Sequence, residues 1–221
     1  MDNVPIFFML LGLYYLEKKD KHSAVFYALA CIFKTFPIIL LPIFFFRAKD
    51  KIKFLMWFIL PFIAVSIPFL YDPLLYIKGA LLVHADRSIQ GKPFLYTISF
   101  KQSLEFIRVI PVTVYSTVSA FGGWVLVTIN ELFNKTTRFR FKSKYIYSLV
   151  PFLVFYMFTP VLNKTYLLWA LPLIILGSYD FVSDTKKSVW LFFLLTGIYY
   201  LFYFYYLYIW GYGLHVDYKY Y

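Results

Sequence analysis

Charged residues are scarce in this 221-residue sequence, and acidic residues are the scarcest of them. Asp, Glu, Lys and Arg together make up 15% of the chain, against about 25% in soluble domains. Hydrophobic residues make up 62%, and the mean hydropathy is +0.68. A globule of this size cannot bury so much apolar surface, which excludes a soluble enzyme. Intrinsic disorder is excluded as well, because it requires the opposite composition.

Cysteine is nearly absent, with one residue in the whole chain. A single cysteine excludes a disulfide framework and any metal site built from several cysteines. We expect no metal site and no cofactor. A divalent ion is compatible with the sequence, but no cluster of carboxylates demands one.

Most of the charged residues are basic. The 22 Lys and Arg residues outnumber the 11 Asp and Glu residues, for a formal net charge of +11. They lie in short breaks between apolar runs, which is typical of cytoplasmic loops of membrane proteins. No basic patch falls on a soluble surface, so we expect no nucleic-acid partner. Residues 1–16 lack the basic start and cleavage site of a signal peptide.

Long apolar runs fill most of the chain and predict transmembrane helices, because backbone polar groups in lipid must bond within their own segment. We therefore expect an all-α, polytopic transmembrane bundle with about six full spans and a short V-shaped helix pair. The bundle would lie in the lipid bilayer. A full span needs about 20 apolar residues. The runs are Asn3–Leu16, Ala24–Phe33, Phe36–Phe46, Phe54–Tyr71, Val109–Phe133, Tyr145–Leu162, Tyr166–Tyr179 and Val189–Trp210.

The segment 24–46 has two interpretations. One continuous helix would place its flanking basic turns on opposite sides of the membrane, with 11 Lys and Arg residues on each side. Two short halves that reverse near Lys34 place 14 of the 22 in the cytoplasm. The excess of cytoplasmic Lys and Arg in membrane proteins favours the reversal, and halves of 10 and 11 residues are too short to cross alone.

This choice defines one transmembrane domain over residues 1–221, in a multi-pass protein of the cell membrane with both termini extracytoplasmic. The cytoplasmic basic loops are 17–23, 47–53, 134–144 and 180–188. The loop 72–108 is extracytoplasmic and carries short interface helices. The first begins with Asp72 as N-cap and Pro73 at the first helical position, and the second begins at the capping-box spacing of Ser99 and Gln102.

Lys34 is the basic residue most clearly placed among apolar segments. A lysine inside the membrane costs about 2.5–3.5 kcal/mol on insertion scales, so an anion should compensate it. In one interpretation Lys34 binds a phosphate group in a polar pocket opened by the helix break at Thr35 and Pro37. In the other, its side chain extends to the outer interface from a short half-helix.

Two further polar groups are candidates for binding. The outer loop carries His84, Asp86, Arg87, Gln90 and Lys92, which suit phosphate binding and acid–base or sugar contacts, or form an ordinary solvated loop. The segment Asn163-Lys164-Thr165-Tyr166 is a polar break between two spans. It is either part of a site or a simple turn with interfacial aromatic residues.

Four motifs in this order resemble the polytopic GT-C glycosyltransferases, and specifically their mannosyltransferase branch. They are the first helix from Asp2 to Leu16, the segment Phe33-Lys34-Thr35-Phe36-Pro37 up to Pro42, the pair His84 and Arg87, and the segment from Asn163 to Trp169. The motifs span about 170 residues. Thr165 stands where the family often has Gln.

The resemblance implies transfer of a hexose, typically mannose, from a polyprenyl-phosphate-linked donor to a lipid- or protein-linked acceptor outside the cytoplasmic face. It implies an inverting displacement. On this basis we expect Lys34, Arg87 and Lys164 at the donor phosphate and His84 and Asn163 at the sugar or acceptor. Lys92 and Tyr166 are further substrate-binding candidates.

One departure from the family concerns the catalytic carboxylate. GT-C enzymes carry it in the first outer loop, and we expect this chain to begin downstream of that loop. Asp2 is the nearest acidic candidate, and the catalytic residue is otherwise unknown. We expect the chain to be a C-terminal portion, either started at an internal Met or split from a partner chain that supplies the missing part. The alternative is a non-catalytic membrane subunit or a flippase or transporter of lipid-linked sugars.

Overall fold

The structure, a computed structural model, describes residues 2–69, 71–80, 111–133, 143–159, 164–181 and 185–211. Every regular element in these residues is a helix, which confirms the all-α prediction. The chain divides into two compact units, Met1–Ile89 and Gln90–Tyr221.

The first unit is a set of short helices joined by tight turns. In chain order they are α1 (Asn3–Tyr15), α2 (Asp20–Phe33), a 3₁₀ helix (Phe36–Leu40), α3 (Leu41–Arg47), α4 (Lys51–Ser66), a second 3₁₀ helix (Ile67–Phe69) and α5 (Pro73–Ala80). Helix α2 begins inside the loop expected at 17–23. Its first turn is polar, and an acidic residue there, Asp20, favours a helix start.

The chain reverses direction at Lys34. That residue is extended, with φ −157° and ψ 130°, which ends α2, and Pro37 then begins a new helical segment. At the other end, the Asp20 carboxylate accepts the backbone amides of Lys49 (3.2 Å) and Asp50 (2.8 Å). Residues 20 and 49–50 therefore meet at the same end of the unit, as the interpretation of two short halves requires.

Aromatic side chains form much of the core of this unit. The ring of Tyr27 stacks on that of Phe44 with centroids 3.9 Å apart, and it lies 5.2 Å from that of Phe58. The Tyr27 hydroxyl donates to the carbonyl of Pro37 at 3.0 Å. Helix α1 joins this core through Gly12, whose backbone carbonyl accepts the buried Ser23 hydroxyl at 2.9 Å. These contacts hold α1, α2 and α3 together.

A helix begins after Tyr71 as predicted, namely α5. The Asp72 carboxylate accepts the amide of Leu75 at 3.0 Å, which confirms Asp72 as the cap. The second helix, expected from Ser99, lies outside the described residues.

The second unit contains α6 (Val112–Phe133), α7 (Lys144–Phe158), α8 (Lys164–Leu167), α9 (Ala170–Phe181) and α10 (Thr185–Gly211). The span expected at 166–179 is interrupted between α8 and α9. Pro172 explains the break, because its ring would clash with the carbonyl of Leu168 in a continuous helix. Trp169 lies in the break and is fully buried.

Two helical stretches among the described residues are long and apolar enough to cross a membrane, Lys51–Phe69 and Lys187–Tyr205, each of 19 residues. They correspond to the expected spans 54–71 and 189–210. The expected segments 3–16, 36–46, 145–162 and 166–179 correspond to shorter apolar helices, namely Asn3–Tyr15, Phe36–Arg47, Lys144–Phe158 and Ala170–Asp180.

Two adjacent glycines, Gly122 and Gly123, allow α6 and α7 to approach closely. A Cβ atom added to Gly123 would lie 2.7 Å from the Cα of Pro151, and one added to Gly122 would lie 3.1 Å from a methyl group of Val154. Near this contact, the Tyr147 hydroxyl accepts the Asn130 amide at 2.8 Å. Packing between these two helices therefore depends on the missing side chain at Gly123.

Substitution of Gly123 tests this packing. We expect Gly123→Ala to lower the free energy of unfolding by about 1–3 kcal/mol, because the backbone at Pro151 must shift. The control is Gly197→Ala in α10, where an added Cβ meets no atom within 4 Å. It should be neutral or stabilising by up to about 1 kcal/mol, since alanine favours a helix. Equal effects in unfolding measurements in detergent would contradict the close contact.

Candidate functional site

An ion pair joins the two helix ends that face away from the basic turns. The ammonium group of Lys34 lies 2.8 Å from each of the two carboxylate oxygens of Asp2. The Asp2 side chain is 9% exposed and that of Lys34 is 28% exposed. Asp2 is therefore nearly buried, while Lys34 retains access to its surroundings.

The lengths of the two helices bring these residues together. Helix α1 has 13 residues and α2 has 14, so each rises about 20 Å at 1.5 Å per residue. The turn between them reverses the direction of the chain, so that residue 34 lies beside residue 2. The pairing thus depends on two nearly equal helices on either side of one tight turn.

Helix dipoles favour both charges in their observed places. Asp2 precedes the N-terminus of α1, where negative charge is stabilised, and Lys34 follows the C-terminus of α2, where positive charge is stabilised. The Asp2 side chain makes no capping bond to α1. Its carboxylate is directed instead at Lys34.

The arrangement can perform two kinds of chemistry. A partly exposed ammonium group can bind a phosphate oxygen as a point charge. A carboxylate beside it can accept a proton from a hydroxyl group that approaches the same place. The compensating anion that the sequence required for Lys34 is a carboxylate of the same chain. Sequence reasoning placed Asp2 near the site but did not identify it as this partner.

Most of the other expected site residues are not among the residues that the structure describes. His84, Arg87, Lys92 and Asn163 lie outside the described residues, as do the side chains of Lys164 and Thr165. Tyr166 lies in α8 of the second unit, and its backbone carbonyl accepts the Tyr156 hydroxyl at 2.7 Å.

A second polar cluster, which sequence reasoning treated only as loop charge, lies at the opposite end of the first unit. Arg47 has a side chain only 2% exposed, and its guanidinium lies 3.5 Å from the Glu17 carboxylate. Glu17 has a left-handed backbone with φ 71°. Asp50 caps α4 by accepting the amide of Lys53 at 3.0 Å. This bond, together with the Lys53 side chain, holds the pKa of Asp50 below its usual value.

Separating the two charges of the Lys34–Asp2 pair tests its role in the fold. We expect Asp2→Asn and Lys34→Gln each to lower the free energy of unfolding by about 1–3 kcal/mol, since each leaves a charged group without its partner. Thermal unfolding in detergent measures this. Lys53→Gln is the control, because its pair with Asp50 is exposed and exposed pairs contribute little. An equally small effect at Lys34 would contradict a structural role for the pair.

Comparison of this chain with family models, with curated proteins and with solved structures found no match. The description of the site therefore depends on the residues themselves. Those residues combine a nearly buried carboxylate and a partly exposed ammonium group at the end of an apolar helical hairpin.

Proposed function

We propose that this chain is an integral membrane glycosyltransferase, or the C-terminal portion of one. It would transfer a hexose, in particular mannose, from a polyprenyl-phosphate-linked donor to a lipid- or protein-linked acceptor on the extracytoplasmic side. The single observation that carries the proposal is the Lys34–Asp2 pair, in which an ammonium group suited to phosphate binding lies 2.8 Å from a carboxylate. The motif resemblance supplies the substrate class.

The proposed placement has about six spans and the V-shaped pair, with both termini outside. Two stretches, Lys51–Phe69 and Lys187–Tyr205, have the length and apolarity of spans. On the first of them, Ile52, Met56, Ile59, Leu60 and Ile63 are exposed, as lipid contact requires. The basic turns at residues 18–21 and 47–53 lie together at one end of the first unit, opposite Lys34, which supports a cytoplasmic position for that end.

The proposed reaction is a single displacement at the anomeric carbon of the donor sugar. Lys34 would bind the donor phosphate. Asp2 would accept the proton of the acceptor hydroxyl as its oxygen attacks that carbon. The bond between the carbon and the phosphate oxygen breaks, and the electron pair leaves with the polyprenyl phosphate, whose charge Lys34 stabilises. The sugar configuration is inverted.

The remaining expected residues complete the proposal. Arg87, Lys92 and Lys164 would add positive charge at the donor phosphate. His84, Asn163 and Tyr166 would contact the sugar or acceptor.

A second candidate function is a non-catalytic membrane subunit, or a flippase or transporter of lipid-linked sugars. The observation that favours it is the same ion pair, since both oxygens of Asp2 contact Lys34. In this function, the Asp2 carboxylate would neutralise the lysine within an apolar bundle and take no part in a reaction.

Cysteine labelling tests the proposed orientation. In a Cys31→Ala background, we expect Lys92→Cys to react with an impermeant maleimide added outside intact cells. Lys18→Cys and Lys142→Cys should react only after the membrane is opened, because they belong to cytoplasmic basic turns. Labelling of position 92 only in opened cells would overturn the orientation and, with it, the extracytoplasmic site.

Sugar transfer tests the activity itself. Membranes containing the native chain should transfer radiolabelled mannose from polyprenyl-phosphate-mannose. We expect Lys34→Ala and Arg87→Ala to lower kcat/KM by about 10- to 100-fold, which is the effect of one charge-assisted bond to phosphate. Asp2→Asn should lower kcat by about 100-fold or more, as loss of a general base does.

Two controls make the transfer experiment decisive. Lys49→Ala removes an exposed lysine at the opposite end and should leave the rate unchanged, and Lys34→Arg should restore part of the activity. If the Lys34→Ala and Asp2→Asn variants fold and keep full activity, the assignment of Lys34 and Asp2 to the active site is wrong. No transfer by the native chain would favour the subunit function.

A further inference from the structure

We propose that the first unit carries a surface for anionic phospholipid headgroups at the end opposite the Lys34–Asp2 pair. We call this surface the basic end and define it by five exposed lysines: Lys18, Lys19, Lys21, Lys49 and Lys51. The proposal requires that the chain lie in a bilayer. It does not depend on sugar transfer.

The fold assembles this surface from two distant turns. Lys18, Lys19 and Lys21 flank the start of α2, and Lys49 and Lys51 lie between α3 and α4. The Asp20 carboxylate accepts two backbone amides of the second turn, at 3.2 and 2.8 Å. Because both amide bonds are made to one carboxylate, the two groups of lysines form one surface.

The acidic residues in these turns have partners other than the five lysines. The Asp20 carboxylate is bonded to backbone amides. Asp50 accepts the amide of Lys53 and lies 3.2 Å from its ammonium group. Glu17 faces the buried Arg47. Within the described part of the chain, none of the five lysines of the basic end has a carboxylate within ion-pair distance.

Aromatic and apolar neighbours place the basic end at the level of the headgroups. The ammonium group of Lys18 lies 3.8 Å from the ring centre of Tyr14, and that of Lys21 lies 4.0 Å from that of Trp57. Tyr and Trp concentrate at the membrane–water boundary. The candidate span Lys51–Phe69 begins within the basic end, and its exposed Ile52 and Met56 lie immediately beyond the lysines.

Charge complementarity then identifies the partner. Five cations spread around the end of an apolar helical bundle match the phosphates of a leaflet, which also form a layer. Each lysine near an anionic membrane surface favours binding by about fivefold. The partner class is therefore a phospholipid with net negative charge, and zwitterionic phosphatidylcholine should lack the same preference.

Lipid binding to the purified full chain in detergent, measured by native mass spectrometry, tests the proposal. One variant combines Lys18→Gln, Lys19→Gln, Lys21→Gln, Lys49→Gln and Lys51→Gln. Its matched control carries Arg at the same five positions and keeps the charge. We expect the glutamine variant to bind phosphatidylglycerol at least about fivefold more weakly, which is the loss expected for one lysine alone, while the arginine variant binds it as the native chain does. Phosphatidylcholine binding should be equal in all three.

The experiment has clear contrary outcomes. Equal phosphatidylglycerol binding in the glutamine variant and the native chain would overturn the proposal. So would equally tight binding of free glycerol 3-phosphate, which would indicate a site for a soluble phosphate. If the glutamine variant does not fold, the salt dependence of lipid binding by the native chain tests the proposal instead. Its preference for phosphatidylglycerol should fall severalfold between about 0.05 and 0.5 M salt through screening, and a preference indifferent to salt contradicts the proposal.

Discussion

The pairing of Lys34 with Asp2 is the interaction on which the arrangement of the first unit depends. A lysine at the end of an apolar helix carries a charge that apolar surroundings disfavour, and a carboxylate at 2.8 Å compensates it. Both charges also lie at the helix ends that their signs favour. The proposed site uses the same contact, so stability and the proposed function would depend on one pair of side chains.

The opposite end of the unit uses its carboxylates in a different way. Asp20 and Asp50 bond to backbone amides, and Glu17 faces a buried arginine. Asp50 also pairs with Lys53, but none of these acidic side chains forms an ion pair with the five lysines of the basic end. Charge is therefore sorted along the hairpin, with a paired lysine at one end and five lysines without an ion pair to a described carboxylate at the other. A bilayer with anionic lipid in one leaflet favours that sorting.

Close helix packing in the second unit depends on small residues. Gly123 allows α6 to meet the backbone of α7 at Pro151, and Gly177 allows α9 to approach Ile146. Helices in lipid gain little from the hydrophobic effect between them, so contact through small residues is a main source of their association. The interrupted segment between α8 and α9 follows from Pro172, which prevents one continuous helix.

The sequence by itself determined the helical class, the approximate places of the Lys51–Phe69 and Lys187–Tyr205 stretches, the reversal near Lys34 and the cap at Asp72. These features follow from the composition, from the lengths of the apolar runs and from local residues such as Pro37. All of these can be read from neighbouring positions in the sequence. Only the tertiary structure decided that Asp2 pairs with Lys34 and that Asp20 joins two basic turns. Each contact links residues about 30 positions apart, and it depends on helix lengths and turn geometry acting together, which no local pattern records.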